Sequence, residues 1–99
     1  MNATLIENKE KLISICQNND IAFMGIFGSF TTGDFRDDSD VDFLVDFSKP
    51  KSLLEIVRIE RLLSESLGRK ADLLTEASLS PYLKDRIKKE TQVFYDEKG

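Results

Sequence analysis

GSFTTGDFRDDSDVD, residues 28–42, is the stretch that decides how this chain folds. An apolar run, IAFMGIF at residues 21–27, leads into it, and an alternating run, VDFLVDF at residues 41–47, leads out of it. The first run is apolar on both faces, as in an interior strand, and the second has the period of two that a half-buried strand shows. The predicted order is therefore strand, glycine turn, short excursion and strand, with acidic residues where the second strand begins.

The second strand separates its side chains into an apolar face and an acidic face. Alternate residues of a strand point the same way, so one face takes Val41, Phe43, Val45 and Phe47 and the other takes Asp40, Asp42, Leu44 and Asp46. The Cα atoms of Asp40 and Asp42 should lie roughly 6 to 7 Å apart along the strand. Two carboxylates at that spacing can reach one metal ion, or two neighbouring ions.

Helices are predicted on both sides of this unit. Thr4 to Glu7 and Ser52 to Glu55 each have the pattern of a capping box, in which a serine or threonine and a glutamate three residues later satisfy free backbone N–H groups. The first helix should end around Asn18 or Asn19, and the second should run to about Leu67, with Gly68 just past its end. The apolar faces are predicted from Leu5, Ile6, Leu12, Ile13 and Cys16 in the first helix, and from Leu53, Ile56, Val57, Leu63 and Leu67 in the second.

The C-terminal third predicts strand, helix and strand. Residues 69–74 form a short apolar run around Asp72, which we interpret as a third strand. Ser80 and Pro81 are suited to the cap and the first position of a third helix, whose apolar stripe would be Leu79, Leu83 and Ile87. Residues 92–95 predict a short last strand. The order of helices and strands indicates an α+β fold.

Composition sets broad limits on the class of protein. The chain has 99 residues, 40% of them hydrophobic and 32% charged, which is typical of one globular domain, here residues 1–99. No apolar run approaches the roughly 20 residues that a membrane helix needs. The first residues are polar and lack the apolar segment of a signal peptide. We therefore expect a cytoplasmic protein with no membrane partner.

The absence of histidine excludes several chemistries. There is no Ser-His or Cys-His nucleophile pair and no His-ligated metal, and the single cysteine, Cys16, allows no internal disulfide. Cys16 lies on the predicted apolar face, where a reactive role is not expected. Any metal site must use oxygen ligands, which favours magnesium, manganese or calcium. A net charge of −4 argues against direct binding of duplex nucleic acid, although a divalent cation can bridge an acidic protein and a nucleotide.

Asp40, Asp42 and Asp72 together suggest phosphoryl chemistry. Aspartate is disfavoured inside strands, and three like charges close together repel each other unless divalent ions offset them. Two metal ions can clamp an in-line displacement at phosphorus. Gly28 permits close approach of the backbone to a phosphate, and Ser29 offers a hydroxyl and an N–H group. The combination favours nucleotidyl transfer over simple hydrolysis.

Each of these motifs is weak alone. A Gly-Ser turn is common, and Asp-Val-Asp more often marks an exposed strand edge than a metal site. Asp37 and Asp38 are interpreted as solvated turn residues. A calcium loop built on Asp38, Asp40 and Asp42 lacks the glycine and the twelfth-position glutamate of an EF-hand. Only the joint pattern, with its fixed spacing and its third strand-borne aspartate, indicates a functional site.

Gly28-Ser29, ten intervening residues and Asp40-Val41-Asp42 resemble the signature of the DNA polymerase β-like nucleotidyltransferase superfamily. The short chain, together with Gly33, Arg36, Ser39-Asp40 and residues 69–74, resembles its minimal branch, the MNT-type antitoxins that are encoded beside HEPN toxins. The resemblance covers about residues 21–95 and implies the minimal nucleotidyltransferase fold, in which helices pack on a small mixed β-sheet. The chain departs from it at Thr31 and Thr32, where many members carry an arginine that Arg36 or Lys70 could replace here.

The resemblance implies roles for individual residues. Asp40 and Asp42 would hold two magnesium ions, with manganese as an alternative, and Asp72 would be the third metal-binding carboxylate and help to take the proton of the acceptor. Gly28 and Ser29, with Arg36 and Ser39, would bind the triphosphate of ATP.

It also implies a partner. The chain would transfer AMP from ATP to a tyrosine of a HEPN toxin, a ribonuclease, and form a complex with it. Since the chain is too short for a separate acceptor domain, the acceptor should bring its own binding surface. The alternatives are a non-catalytic antitoxin that neutralises its toxin by binding alone, and a small-molecule nucleotidyltransferase.

Overall fold

The computed structural model describes residues 8–27 and 40–97. The elements in chain order are helix α1 (Lys9–Asn18), strands β1 (Ile21–Phe27) and β2 (Val41–Phe47), helix α2 (Leu53–Leu67), strand β3 (Ala71–Thr75), a 3-10 turn (Glu76–Ser78), helix α3 (Pro81–Glu90) and strand β4 (Gln92–Asp96). The capping box predicted at Thr4 lies outside the described residues. The third strand begins two residues later than predicted, at Ala71, and the last strand includes Asp96.

The strands form one mixed sheet in the order β3-β2-β1-β4. β1 is antiparallel to both of its neighbours, and β2 and β3 are parallel. The parallel pair is possible because α2 forms the crossover between its two strands. The predicted interior position of β1 and the predicted α+β fold with a small mixed sheet are confirmed.

One face of the sheet is covered by α1 and α2. On β2 the core takes alternate residues, Val41, Phe43 and Val45, which were predicted for the apolar face, and the fourth predicted residue, Phe47, is half-buried. Facing them across the core are Leu12, Cys16, Ile59, Leu63 and Leu67. The opposite face of the sheet, which carries Asp42, is called the open face below. No helix among the described residues is long and apolar enough to cross a membrane.

Cys16 is part of this core and is chemically inert. Its side chain is fully buried and its thiol donates to the sulfur of Met24 at 3.7 Å. Burial raises the pKa of the thiol to about 12, so the thiolate is scarcely populated at neutral pH. We expect a maleimide reagent to leave the native protein unmodified and to label one site per chain in denaturant, as followed by mass spectrometry. Rapid labelling of the native protein would contradict this packing.

The ends of α2 agree with the prediction. The Ser52 hydroxyl accepts a hydrogen bond from the Glu55 N–H, and the Glu55 carboxylate accepts one from the Ser52 N–H. Gly68 ends the helix with a φ of 68°, a left-handed conformation that favours glycine.

The predicted apolar face of α2 is wrong at two positions. The side chains of Leu53 and Val57 are 76% and 47% exposed, whereas Ile59, which the prediction omitted, is buried. The buried residues Ile59, Leu63 and Leu67 follow each other at intervals of four and define a single line along the helix. The first turn of α2 therefore presents its leucines, Leu53 and Leu54, to solvent.

Helix α3 begins at Pro81 as predicted but packs differently from the prediction. None of its residues is buried, and Leu83, expected in an apolar stripe, is 48% exposed. The reason is its place in the fold, since its C-terminal end approaches the open face of the sheet at Lys88 and Thr91 instead of the core. An ion pair between Lys88 and Glu76 links it to the 3-10 turn.

Candidate functional site

Asp42 and Asp72 lie side by side on the open face. Asp42 is paired with Phe27 on β1 and with Asp72 on β3, so the two aspartates occupy matched positions on adjacent parallel strands. Neighbouring strands are about 4.8 Å apart, and paired side chains project to the same face. Asp40 comes just before β2 and is exposed. The structure thus brings together two of the three predicted carboxylates directly and places the third two residues away.

The electrostatics of this pair are unfavourable in the absence of a cation. Burial raises the pKa of Asp42, and the nearby charges of Asp72 and Asp40 raise it further. An ordinary strand position would be filled by a residue without this penalty. The cost indicates that Asp42 is present for its chemistry and not for the stability of the sheet.

The carboxylates of Asp42 and Asp72 suit a divalent cation, but these two side chains do not form a complete binding site by themselves. Across residues 8–27 and 40–97, no three potential ligand side chains are arranged to hold a single ion. Asp42 and Asp72 nevertheless present only carboxylate oxygens, which magnesium and manganese prefer, and a cation between them would offset their repulsion. The predicted nucleotide-binding residues Gly28, Ser29, Arg36 and Ser39 lie outside the described residues, as does the segment that separates β1 from β2.

Two side chains of α2 hold the strand that carries Asp72. Glu60 accepts a hydrogen bond from the N–H of Leu73 at 2.8 Å, and the hydroxyl of Ser64 accepts one from the N–H of Ala71 at 2.8 Å. Since β3 is an edge strand, these N–H groups have no strand partner, and α2 supplies one for each. Sequence reasoning missed both residues, because their side chains act through a tertiary contact that no local pattern records.

Glu60 is therefore expected to position Asp72. Replacing Glu60 with alanine leaves a partly buried N–H without an acceptor and should lower the free energy of unfolding by about 1–3 kcal/mol. Glu60→Gln keeps an acceptor oxygen and serves as the matched control. Thermal unfolding would measure both variants, and equal stabilities for the alanine and glutamine variants would contradict this role.

Comparison with known proteins identifies the family. The sequence profile described as "Polymerase beta, Nucleotidyltransferase" matches residues 10–99. The chain belongs to this nucleotidyltransferase family. A relative of this nucleotidyltransferase in Methanocaldococcus jannaschii, named as a candidate protein adenylyltransferase, is 43% identical over 82% of this chain and 87% of its own length.

Solved structures show the same fold. A candidate minimal nucleotidyltransferase superimposes with a TM-score of 0.79 at 32% identity, covering 90% of this chain and 91% of the other. The MNT antitoxin in complex with a tri-AMPylated HEPN toxin of Shewanella oneidensis superimposes with a TM-score of 0.71 at 18% identity, covering 92% and 71% of the two chains. The minimal nucleotidyltransferase fold expected from the sequence is confirmed.

Proposed function

We propose that this nucleotidyltransferase is the antitoxin of a HEPN toxin and that it neutralises the toxin by transferring AMP from ATP to one of its tyrosines. Residues 1–99 act as a single domain in the cytoplasm. The observation that carries the proposal is the Asp42–Asp72 pair, two carboxylates on adjacent strands whose repulsion the fold retains. The adenylyltransferase name of the relative in M. jannaschii and the AMPylated toxin in the Shewanella complex support the choice of reaction and partner.

The reaction joins the acceptor oxygen to the α-phosphorus of ATP. The bond between the α-phosphorus and its bridging oxygen breaks, pyrophosphate leaves with that oxygen, and the tyrosine proton must go to a base. Asp72 is our candidate for this base, because it is near the start of β3 and lies beside Asp42 on the open face of the sheet.

Metal ions are expected to complete the centre. Asp40, Asp42 and Asp72 would hold two magnesium ions, which would neutralise the phosphate charge and steady both the attacking and the leaving oxygen. Gly28 and Ser29, with Arg36 and Ser39, are proposed to bind the triphosphate, since Gly28 follows directly after Phe27 at the aspartate end of the sheet.

A second candidate function is neutralisation by binding alone. The exposed leucines at the start of α2, Leu53 and Leu54, favour it, because adjacent exposed apolar side chains mark contact surfaces. The aspartate pair weighs against it as a complete account, since a protein that only binds has no use for two repelling carboxylates.

Turnover separates the two candidates. The HEPN protein proposed as the partner is mixed with this chain in large molar excess, with ATP and magnesium, and its remaining ribonuclease activity is followed over time. A transferase inactivates the whole excess, whereas a binder inactivates only a stoichiometric fraction. Stoichiometric inhibition that is independent of ATP would refute the proposed transferase. Asp42→Asn should lose the ATP-dependent inactivation, and Glu65→Gln, an exposed change on α2, serves as its matched control.

A further inference from the structure

A pocket of about 400 Å³ lies on the open face of the sheet. Phe23, Leu44 and Val93 form its apolar floor, and the C-terminal end of α3 forms one wall through Lys88 and Thr91. The volume is within the range of ordinary small-ligand and side-chain sites. The proposed AMP transfer assigns no role to the residues that line this pocket.

The pocket adjoins the aspartate pair. Leu44 follows Asp42 by two residues on the same face of β2, so their Cα atoms are separated by about 6.6 Å. Its partner across the sheet is Gly25, which is paired in turn with Val93. On the open face, Leu44 and Val93 therefore lie in the next row after the row that holds Phe27, Asp42 and Asp72, and Phe23 lies in the row after that.

Along the strands, the aspartate row lies at one end of the open face and the pocket lies toward the other end. Gly28 comes directly after Phe27, so the proposed phosphate-binding residues join the sheet at the aspartate row. The pocket lies in the other direction along the strands. Along β1, the aspartate row therefore lies between the pocket and the residue after which the proposed phosphate-binding residues begin in the sequence.

In an in-line displacement, the acceptor and the departing pyrophosphate lie on opposite sides of the α-phosphorus. The attacking oxygen must approach the α-phosphorus from the side opposite to the departing pyrophosphate. If pyrophosphate leaves on the side of the residues that follow β1, the acceptor approaches from the opposite side, above the part of β2 that contains Leu44 and Asp46. The pocket is on that approach side.

The charges at the rim indicate what kind of acceptor fits. Among the described residues that line the pocket, Asp46, Glu76 and Asp96 are acidic and Lys88 is basic; Lys88 is paired with Glu76, so Asp46 is the acidic side chain on which the argument rests. Asp46 is exposed on β2 and makes no ion pair with a described residue. An apolar floor with an acidic rim complements an apolar side chain flanked by basic residues.

We propose that this pocket is the acceptor subsite: it binds an apolar or aromatic side chain of the partner protein, flanked by lysine or arginine, next to the tyrosine that receives AMP. This inference rests on the proposed function, and it adds the surface that selects the acceptor. The pocket sets the affinity for the acceptor and leaves the affinity for ATP unchanged.

Two substitutions test the subsite, each with a matched control. Asp46→Lys reverses a charge at the rim, and Glu65→Lys makes the same change on the far side of the sheet. Val93→Lys replaces an apolar floor residue that is 58% exposed, and Leu62→Lys makes a similar change on α2. Asp46 and Val93 are both accessible enough for the variants to fold, which thermal unfolding would verify.

The readouts are the KM for the HEPN protein and the dissociation constant for ATP with magnesium. We expect Asp46→Lys and Val93→Lys to raise the KM by about tenfold or more, the effect of losing one well-packed contact, with ATP affinity unchanged. The control variants should resemble the wild type. A loss of ATP affinity with an unchanged KM would show that the pocket holds the adenine base, and an unchanged KM and ATP affinity would show that it binds neither; both results would overturn the proposal.

A separate readout covers the case in which the wild type transfers no AMP. The dissociation constant of the complex with the HEPN protein is then measured for the same four variants. Weakening by Asp46→Lys and Val93→Lys alone would support the pocket as a partner-binding site while the transferase proposal fails. Equal affinities in all variants would overturn the pocket as well.

Discussion

Replacing Asp42 with asparagine is expected to abolish AMP transfer and, at the same time, to raise the melting temperature of the metal-free protein. Loss of one group that stabilises transition-state charge commonly costs 10²–10³ in rate, and loss of a carboxylate ligand at the metal centre should cost at least about 10³. The loss of activity follows from the proposed role of Asp42 as a metal ligand. The gain in stability follows from its position beside Asp72.

The sign of the stability change follows from proton linkage. The pKa of Asp42 in the folded protein lies above its ordinary value of 3.8, because of burial and the charges of Asp72 and Asp40. The folded state therefore binds this proton more tightly, and the wild type loses stability as the pH rises from 3.8 through the folded pKa. Asp42→Asn avoids that loss. Its advantage should be absent below about pH 3.8 and should grow as the pH rises through the folded pKa of Asp42.

The size of the gain is limited by solvent screening. The repulsion between two partly exposed carboxylates costs less than about 1 kcal/mol of stability. In a domain of this length, about 1 kcal/mol corresponds to a change of roughly 4–8 °C in the melting temperature. We expect an increase of about 2–5 °C at pH 7, measured by thermal unfolding with a chelator present. Glu65→Gln removes the same charge from the far side of the sheet and should change neither property. A variant that retains transfer, or that melts below the wild type at pH 7, would contradict the role of Asp42.

Substitution of Gly25 by alanine is expected to destabilise the whole fold. A Cβ atom at this position would overlap Cγ2 of Thr91, and it would also come within 3.3 Å of the Phe23 ring. Thr91 cannot move away easily, because its hydroxyl donates to the carbonyl oxygen of Ile87 and its backbone joins α3 to β4. Overpacking of this kind costs about 1–3 kcal/mol, so the melting temperature should fall by roughly 5–20 °C.

A second substitution tests the cause of this loss. Thr91→Ser removes the methyl group that would overlap and keeps the hydroxyl that bonds Ile87. In the Gly25→Ala background it should restore most of the lost stability, whereas alone it should change little. If the double variant is as unstable as Gly25→Ala, then the close approach of Thr91 to β1 is not the reason that position 25 is a glycine.

The central part of the fold could be predicted because its determinants are local. The apolar run of β1 and the alternation of β2 specify two strands whatever lies around them, and the Ser52 box and Gly68 specify the ends of α2. The adjacency of Asp42 and Asp72 needs more than a local pattern. It depends on the parallel pairing of β2 and β3, which the sequence supports through the crossover helix and through the resemblance to the nucleotidyltransferases.

The errors occur where tertiary packing decides the outcome. Leu53 and Val57 have helical spacing, yet they lie on the part of α2 that the sheet does not cover. Leu83 belongs to a helix that contacts the open face only near its C-terminal end. In the sequence, nothing distinguishes Glu60 from the other polar residues of α2; its role follows only from the position of β3 beside it. The pocket is assembled from three strands, the 3-10 turn and the end of α3, and no single segment indicates it.

The measurement that tests the central claim most directly is the intact mass of the HEPN protein proposed as the partner after incubation with this chain, ATP and magnesium. The account predicts a mass increase of one or more AMP units on the HEPN protein, located on tyrosine by fragmentation. The increase should be absent when Asp42→Asn replaces the wild type. An unchanged mass in the presence of a tight complex would contradict the transferase and leave this chain as an antitoxin that acts by binding alone.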